Sequence, residues 1–446
     1  MTERRVPPPL GGHSKLRVEL AYGDAGLSVM LPETTTVVAP RHPVAAPDAP
    51  AELRRALSHP LGSPRLRDRV RPGQRLAVAI CDGTRPQPRE AMLTALLDEL
   101  EGVVDDGDIT VIVATGTHAP PSHAEVVDLV GAPLARRLHV VGHDARRPDD
   151  LADCGVQGAG VPVFCNREFL AADLKITTGF VEPHFFAGFS GGPKLVAPGL
   201  LGMASVLVLH DAARIGSPEA SWGNVVGNPV HDDVRAIAAA IGVDFAFDVV
   251  LDRRQRIVRG FAGELFAMHA SAVEFARSVA TTAVPALFDV VVTTNAGYPL
   301  DRNLYQAVKG MSAAAQIVRP GGLIVAAAQC RDGFPDFGEF RTLVLGAASV
   351  DELVATIDQG ETRPDQWQVQ VLARVLRRAR VALHCEGLSD DEVRAAHLEP
   401  VRDIGARVAQ ELAELGPGAR CAVLPEGPAT IPYVAPVFPA GGADRS

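Results

Sequence analysis

Three continuous apolar runs constrain this chain more than anything else in it: Arg75 to Cys81 (RLAVAIC), Asp108 to Ala114 (DITVIVA) and Leu174 to Gly179 (LKITTG). None alternates between apolar and polar residues, as a strand with one wet face would. Helical segments from about Pro88 to Glu101 and from near Ser122, a good N-cap, follow the first two. Strands buried on both faces and alternating with helices form a parallel sheet covered on both sides. In such sheets ligands bind beyond the carboxyl ends of the strands. Those ends carry Asp82-Gly83-Thr84-Arg85-Pro86, Thr115-Gly116-Thr117-His118 and Glu182-Pro183-His184. Topology alone therefore gathers Asp82, Arg85, His118 and His184 into one crevice.

The rest of the chain repeats this grammar. Leu16 to Val38 reads as two strands joined by a turn at Gly23-Asp24. Phe245 to Leu251 and Ile257 to Ala262 read as a strand pair, followed by an amphipathic helix from about Glu264 to Val279. A second α/β unit starts at Phe288 (DVVVTTNAGYP), continues with a helix carrying Tyr305-Gln306-Ala307-Val308-Lys309-Gly310, and then with the strand LIVAAAQC. Its R-P-G-G-x-L-I-V run is similar to late strands of methyltransferases, but no Gly-rich adenosylmethionine loop precedes it, so the likeness is generic Rossmann-like grammar. The expected fold class is α/β: two Rossmann-like α/β domains with mainly parallel sheets and the active site in the crevice between them. The first domain is expected over residues 1–280 and the second over 286–418, with 419–446 packing back on the first. The opening dozen residues, rich in Pro and Gly, read as disordered.

Composition narrows the function. The formal net charge is −10 with no basic block, which disfavours nucleic acid as a partner. Six cysteines without C-x-x-C pairs exclude a zinc ribbon or a disulfide framework and fit a cytoplasmic protein. The N-terminus lacks a signal-peptide core, and no apolar run is long enough to span a membrane.

The chemistry concentrates in Val181 to His210, VEPHFFAGFSGGPKLVAPGLLGMASVLVLH. Two histidines, His184 and His210, bracket one lysine, Lys194, which follows a Gly-rich turn. A lysine there can face a phosphate or, once desolvated, act as a nucleophile. A P-loop is excluded by Leu195, which stands where the magnesium-binding hydroxyl belongs. His118, His184 and His210 could form a three-histidine zinc site, although zinc spacing on one helix and nearby carboxylates are lacking. Alternatively one histidine ligates a metal held mainly by an organic cofactor, leaving two as acid and base. Such a pair suits inversion of a stereocentre, which needs a proton acceptor on each side of the substrate. For a 2-hydroxy acid, removing hydride from the α-carbon avoids a carbanion, but only a cofactor can accept it.

D-G-T-R-P, T-G-T-H, H-F-F-A-G-F-S-G-G-x-K, the later histidine and Y-Q-A-V-K-G occur together and in order. In this the chain resembles the nickel-dependent lactate racemase family, from Asp82 to the Trp367 region. The resemblance implies a racemase or epimerase of a 2-hydroxy acid that works by hydride transfer with two histidine bases. It implies nickel and the pyridinium-3,5-bisthiocarboxylic acid mononucleotide, the nickel pincer nucleotide. Lys194 would tether that cofactor and His210 would ligate nickel. His118 and His184 would be the bases, and Asp82, Gly83, Thr84 and Arg85 would lie at the nucleotide. Arg85, Gln306, Lys309 and Trp367 would contact substrate. Cofactor-biosynthesis and nickel-insertion proteins are implied as partners. Pro193 stands where the family often has arginine, and Phe185 where it often has tyrosine, so a hydroxy acid other than lactate stays open. Two alternatives also stay open: a zinc-dependent hydrolase using the three histidines, and a small-molecule-binding homologue without turnover.

Overall fold

The computed structural model describes residues 15–435 apart from Gln359. The opening dozen residues, read as disordered, lie outside the described residues. The chain divides into two compact units, a larger one of residues 40–281 and 353–371 and a smaller one of the remainder.

The larger unit is built on a six-stranded sheet in the order Ile257–Gly263, Phe245–Leu251, Leu174–Phe180, Leu76–Cys81, Ile109–Ala114, His139–Gly142. Every pairing is parallel except that of the first two strands. All six residues of Leu76–Cys81 are buried, as expected of a strand covered on both faces. The helix Arg89–Leu100 follows it directly. The next helix, His123–Val130, begins with a complete capping box, Ser122 and Glu125 each satisfying the other's backbone N–H. A hairpin that sequence reading missed, Leu151–Gln157 with Val161–Asn166, comes before Leu174–Phe180.

The smaller unit holds a second six-stranded sheet, ordered Glu399–Pro400, Arg380–His384, Val318–Ala327, Phe288–Thr294, Cys421–Leu424, Thr36–Val37. It is parallel throughout. The hairpin Lys15–Leu20 with Leu27–Pro32 buries Val18, Leu20, Val29 and Leu31 with Val290, Val292, Val325 and Val423 of that sheet. This corrects the expected domain boundaries. Residues 15–39 belong with the second α/β unit, because Thr36 and Val37 pair with Ala422 and Val423. For the same reason the 421–424 strand, expected to pack back on the first domain, lies inside this sheet. Among the described residues no helix is long and apolar enough to cross a membrane.

The helix Leu304–Ala314 lies against this sheet at unusually short range. Gly310 donates its N–H to Asn295 Oδ1 (2.9 Å), and a Cβ on Gly310 would sit 2.0 Å from the carbonyl oxygen of Thr294. The closing glycine of Y-Q-A-V-K-G is thus required by contact between helix and strand end. Gly310→Ala should cost about 1–3 kcal/mol through forced displacement of the helix. In a domain of this size that is about 2–4 °C of melting temperature per kcal/mol. Calorimetry would check it, and an unchanged transition would show that the contact is looser than described.

Candidate active site

Asp82 begins the loop beyond Leu76–Cys81 and is 8% exposed. Its Oδ1 accepts from the Thr84 hydroxyl (2.7 Å) and the Thr84 N–H (3.2 Å). Its Oδ2 meets His118 Nδ1 at 2.5 Å, so loops from neighbouring strands join at the sheet's carboxyl edge. Burial pushes the Asp82 carboxyl up, but the His118 hydrogen bond and charge, Arg85 and Thr84 outweigh it and hold it below the usual carboxylate range. Gly83 and Thr84 are exposed and Arg85 is half-buried.

His184 stands on a two-residue ladder in which Pro183–His184 pairs with Gly188–Phe189. Its Nδ1 accepts the N–H of Ala187 (3.2 Å). The ring is stacked on Phe185 and meets Phe186 edge-on at 4.5 Å between centroids. The two histidines therefore differ. Nδ1 of His118 faces a carboxylate acceptor, whereas Nδ1 of His184 faces a backbone donor. In neutral rings this puts a lone pair on Nε2 of His118 and an N–H on Nε2 of His184.

Lys194 occupies the short 3₁₀ turn Gly192–Leu195, entered through Gly191 and Gly192 at φ 75° and 50°. Part of its side chain stays accessible, yet its ammonium lies 5.7 Å from the centre of the Phe186 ring. Burial pushes the Lys194 amine down to about 7, and the charge of Arg85 pushes the same way. His210 ends the helix Met203–Leu209 and is 5% exposed. Its Nδ1 bonds to the carbonyl of Val206 (2.9 Å), which fixes the proton on Nδ1 and leaves the neutral ring's lone pair on Nε2. Burial, then the charge of Lys194, drives His210 down to about 3, so it is neutral. Phe186 lies edge-on to His210 at 5.5 Å, and Trp367 lies 4.8 Å away. Gln370, one helical turn beyond Trp367, donates to the Ala212 carbonyl (2.8 Å) and ties that helix to the loop after His210.

In the larger unit the structure thus brings together Asp82, Thr84 and His118 in one group, and His184, Lys194 and His210 around Phe186 in another, with Trp367 against His210. Arg85 acts electrostatically on both Asp82 and Lys194. In the smaller unit, Gln306 and Lys309 share a helix face and Lys309 Nζ donates to Gln306 Oε1 (2.7 Å). The three-histidine zinc site does not form: among the described residues no three His, Cys, Asp or Glu side chains are grouped to hold a metal ion. Phe186 stands against both His184 and His210, and His118 is bonded to Asp82.

Sequence reading missed Gln87 and Arg89. Gln87 accepts the Cys81 N–H (2.7 Å) and donates to the Thr178 hydroxyl (2.9 Å). The buried Arg89 guanidinium donates to the carbonyls of Cys81 (2.7 Å), Gln87 (3.1 Å), Arg85 (2.7 Å) and Asp82. It turns the carbonyls of the D-G-T-R-P loop inward. His231 and His269 are both buried.

A mainly parallel sheet whose carboxyl-edge loops carry a carboxylate-held histidine, with a buried amine and a buried neutral imidazole further along the chain, fits an α/β enzyme. The chain belongs to the lactate racemase family, a family of isomerases. Residues 22–223 match the lactate racemase N-terminal domain and residues 283–431 the lactate racemase C-terminal domain. It is 34% identical over 382 residues to the lactate racemase of Thermoanaerobacterium thermosaccharolyticum, covering 85% of this chain and 89% of the relative. Identity to the lactate racemase of Lactiplantibacillus plantarum is also 34% over 382 residues, covering 84% and 89%. The solved lactate racemase apoprotein of T. thermosaccharolyticum superposes with a TM-score of 0.87 at 32% identity, covering 94% of this chain and all of that one. A Thermotoga maritima protein at 18% identity and a TM-score of 0.64, covering 88% of this chain and all of that one, shares the fold.

Arg89→Met would strand several buried carbonyls at once. Its urea midpoint should fall by the equivalent of about 3 kcal/mol or more, with Arg89→Lys falling less. A Met variant that unfolds like the parent would show that the loop does not rest on the guanidinium.

Proposed function

We propose that the protein interconverts the enantiomers or epimers of a 2-hydroxy acid, lactate or a larger one, with a nickel pincer nucleotide tethered to Lys194 and ligated by His210. The observation that carries this reading is the pairing of a buried, readily neutral amine at Lys194 with a neutral imidazole whose Nε2 lone pair is available at His210. An uncharged amine is the nucleophilic form, which would condense with a thiocarboxylic acid carbon of that group to a thioamide with loss of water, and an imidazole nitrogen suits nickel beside sulfur ligands. The donor set fits a metal held mainly by an organic group, since His210 offers one nitrogen and the described residues contain no cluster of three metal-ligating side chains. When bound, the cofactor supplies the hydride acceptor that no side chain offers.

The chain's own residues do the rest. His118, with Nδ1 held by Asp82, takes the hydroxyl proton at Nε2, and Asp82 stabilises the resulting imidazolium. His184 serves the opposite enantiomer. It begins from the other tautomer, so its proton must move to Nδ1, at the expense of the Ala187 contact, before Nε2 can accept. Arg85 meets the substrate carboxylate or the nucleotide, and the exposed N–H groups of Gly83 and Thr84 suit a phosphate. Gln306, Lys309 and Trp367 are substrate contacts by resemblance. Proteins that build the cofactor and insert nickel are the partners this requires.

Two measurements test the reading. Intact mass spectrometry of protein matured with its cofactor should show a covalent adduct in the parent and none in Lys194→Ala. His118→Ala and His184→Ala should each lose about a hundred- to ten-thousand-fold in racemisation while nickel content is retained. Near-parental racemisation by either nickel-loaded variant would sink the two-base mechanism. A parent that loads nickel but turns over no 2-hydroxy acid would favour a binding homologue.

A further inference from the structure

Two buried titratable side chains have no part in the chemistry above, and both are spent on one short piece of backbone. Asp248 lies in Phe245–Leu251, fully buried, and its Oδ2 accepts the N–H of Gly192 at 2.6 Å. His269 lies on the helix Leu265–Ala280, 2% exposed, and its Nε2 donates to the carbonyl of Ser190 at 2.9 Å. His231, on the helix Pro229–Ile241, stacks on the His269 ring at 6.0 Å and 24°. The Ser190 hydroxyl completes the hold, donating to Phe180 O (3.0 Å) and accepting from Glu182 N–H (2.9 Å).

Beyond the Ser190 hydroxyl, the turn held in this way has no side chains with which to hold itself, since Gly191 and Gly192 carry none. A Cβ on Gly191 would come within 2.6 Å of Asp248 Oδ2, and one on Gly192 within 2.5 Å of the His269 ring. The glycines let these two groups approach the backbone, and the two groups replace the definition that glycine gives up. Burial pushes the Asp248 carboxyl up to about 7 against its backbone hydrogen bonds and pushes His269 down to about 4. An apolar wall would pack here without such desolvation, so what the pair adds is direction.

We propose that Asp248 and His269 are positioning residues that fix the path of the Ser190–Gly192 backbone and thereby the reach of the Lys194 amine. The assignment rests on the reading of Lys194 as the tethering nucleophile. The two residues come from different elements and grip opposite kinds of backbone group, an N–H and a C=O. Losing either lets the turn rotate, while the sheet beneath keeps its core.

The test uses the full chain and two readouts. In cofactor-free protein, brief treatment with acetic anhydride followed by peptide mass spectrometry gives the labelling rate of Lys194, with half-buried Lys175 as internal reference. In matured protein, intact mass gives the fraction carrying the covalent adduct. Asp248→Asn keeps an oxygen for Gly192 and His269→Gln keeps a donor for Ser190, so both should stay near parental values. Asp248→Leu and His269→Phe should change the Lys194:Lys175 labelling ratio and lower the adduct fraction, each about fivefold or more, the equivalent of one hydrogen bond. Should Asp248→Leu not fold, Asp248→Ser withdraws the same oxygen at smaller cost. Folded Leu, Ser or Phe variants that label and load like the parent would overturn the proposal. A parent without adduct whose labelling still responds as described would leave the positioning role intact and remove the tether.

Discussion

The parallel register of three central strands decides where every reactive loop of the larger unit emerges. Cys81 lies beside Ala114 and Ala79 beside Thr177, so the chain leaves all three strands at the same edge of the sheet. Asp82 follows Cys81 at once, and His118 turns back to meet it. A slip of one residue in any strand would face its buried side chains the wrong way and carry the loop with them. The hydrogen-bonded ladder, formed by residues with no chemistry of their own, thus sets the geometry of those that have it.

Electrostatics in this unit is arranged around three cationic side chains in different surroundings. Lys194 has Arg85 as a charged neighbour and no carboxylate among the causes of its shift, so burial and repulsion both favour the free amine. Arg89 is buried too, but it satisfies its donors with carbonyls, which neutralise nothing and shape the loop instead. Asp82 answers the field of Arg85 and spends its hydrogen bonds on Thr84 and His118. The result is a region in which one cation is structural, one is half-buried beside Asp82 and one is readily neutral.

Much of this was legible in the sequence because the signals were local. The continuous runs at 76–81, 109–114 and 174–180 and the Ser122 cap required no tertiary knowledge. The D-G-T-R-P and S-G-G-P-K loops stood out for the same reason. What stayed hidden depends on distant partners. Arg89, Asp248 and His269 bond to backbone atoms, and no periodicity reports a contact of that kind. The hairpin at 151–166 was missed because its first strand has no buried residue and its pairing carries a register shift. The domain boundaries were misjudged because Thr36–Val37 is two residues long, and its partner strand lies almost a whole chain away.

That last pairing also dictates an order of events during synthesis. Residues 40–281 contain all six strands of the larger unit's sheet and emerge as one uninterrupted piece. The sheet of the smaller unit is closed by a strand from the first tenth of the chain and one from the last, so its edge cannot pair until residues 421–424 have left the ribosome. Until then the apolar face of the Lys15–Leu20 hairpin lacks the Val423 side of its core. Contacts of such sequence separation form slowly, and incomplete sheets of this kind are where a nascent chain is most open to mispairing.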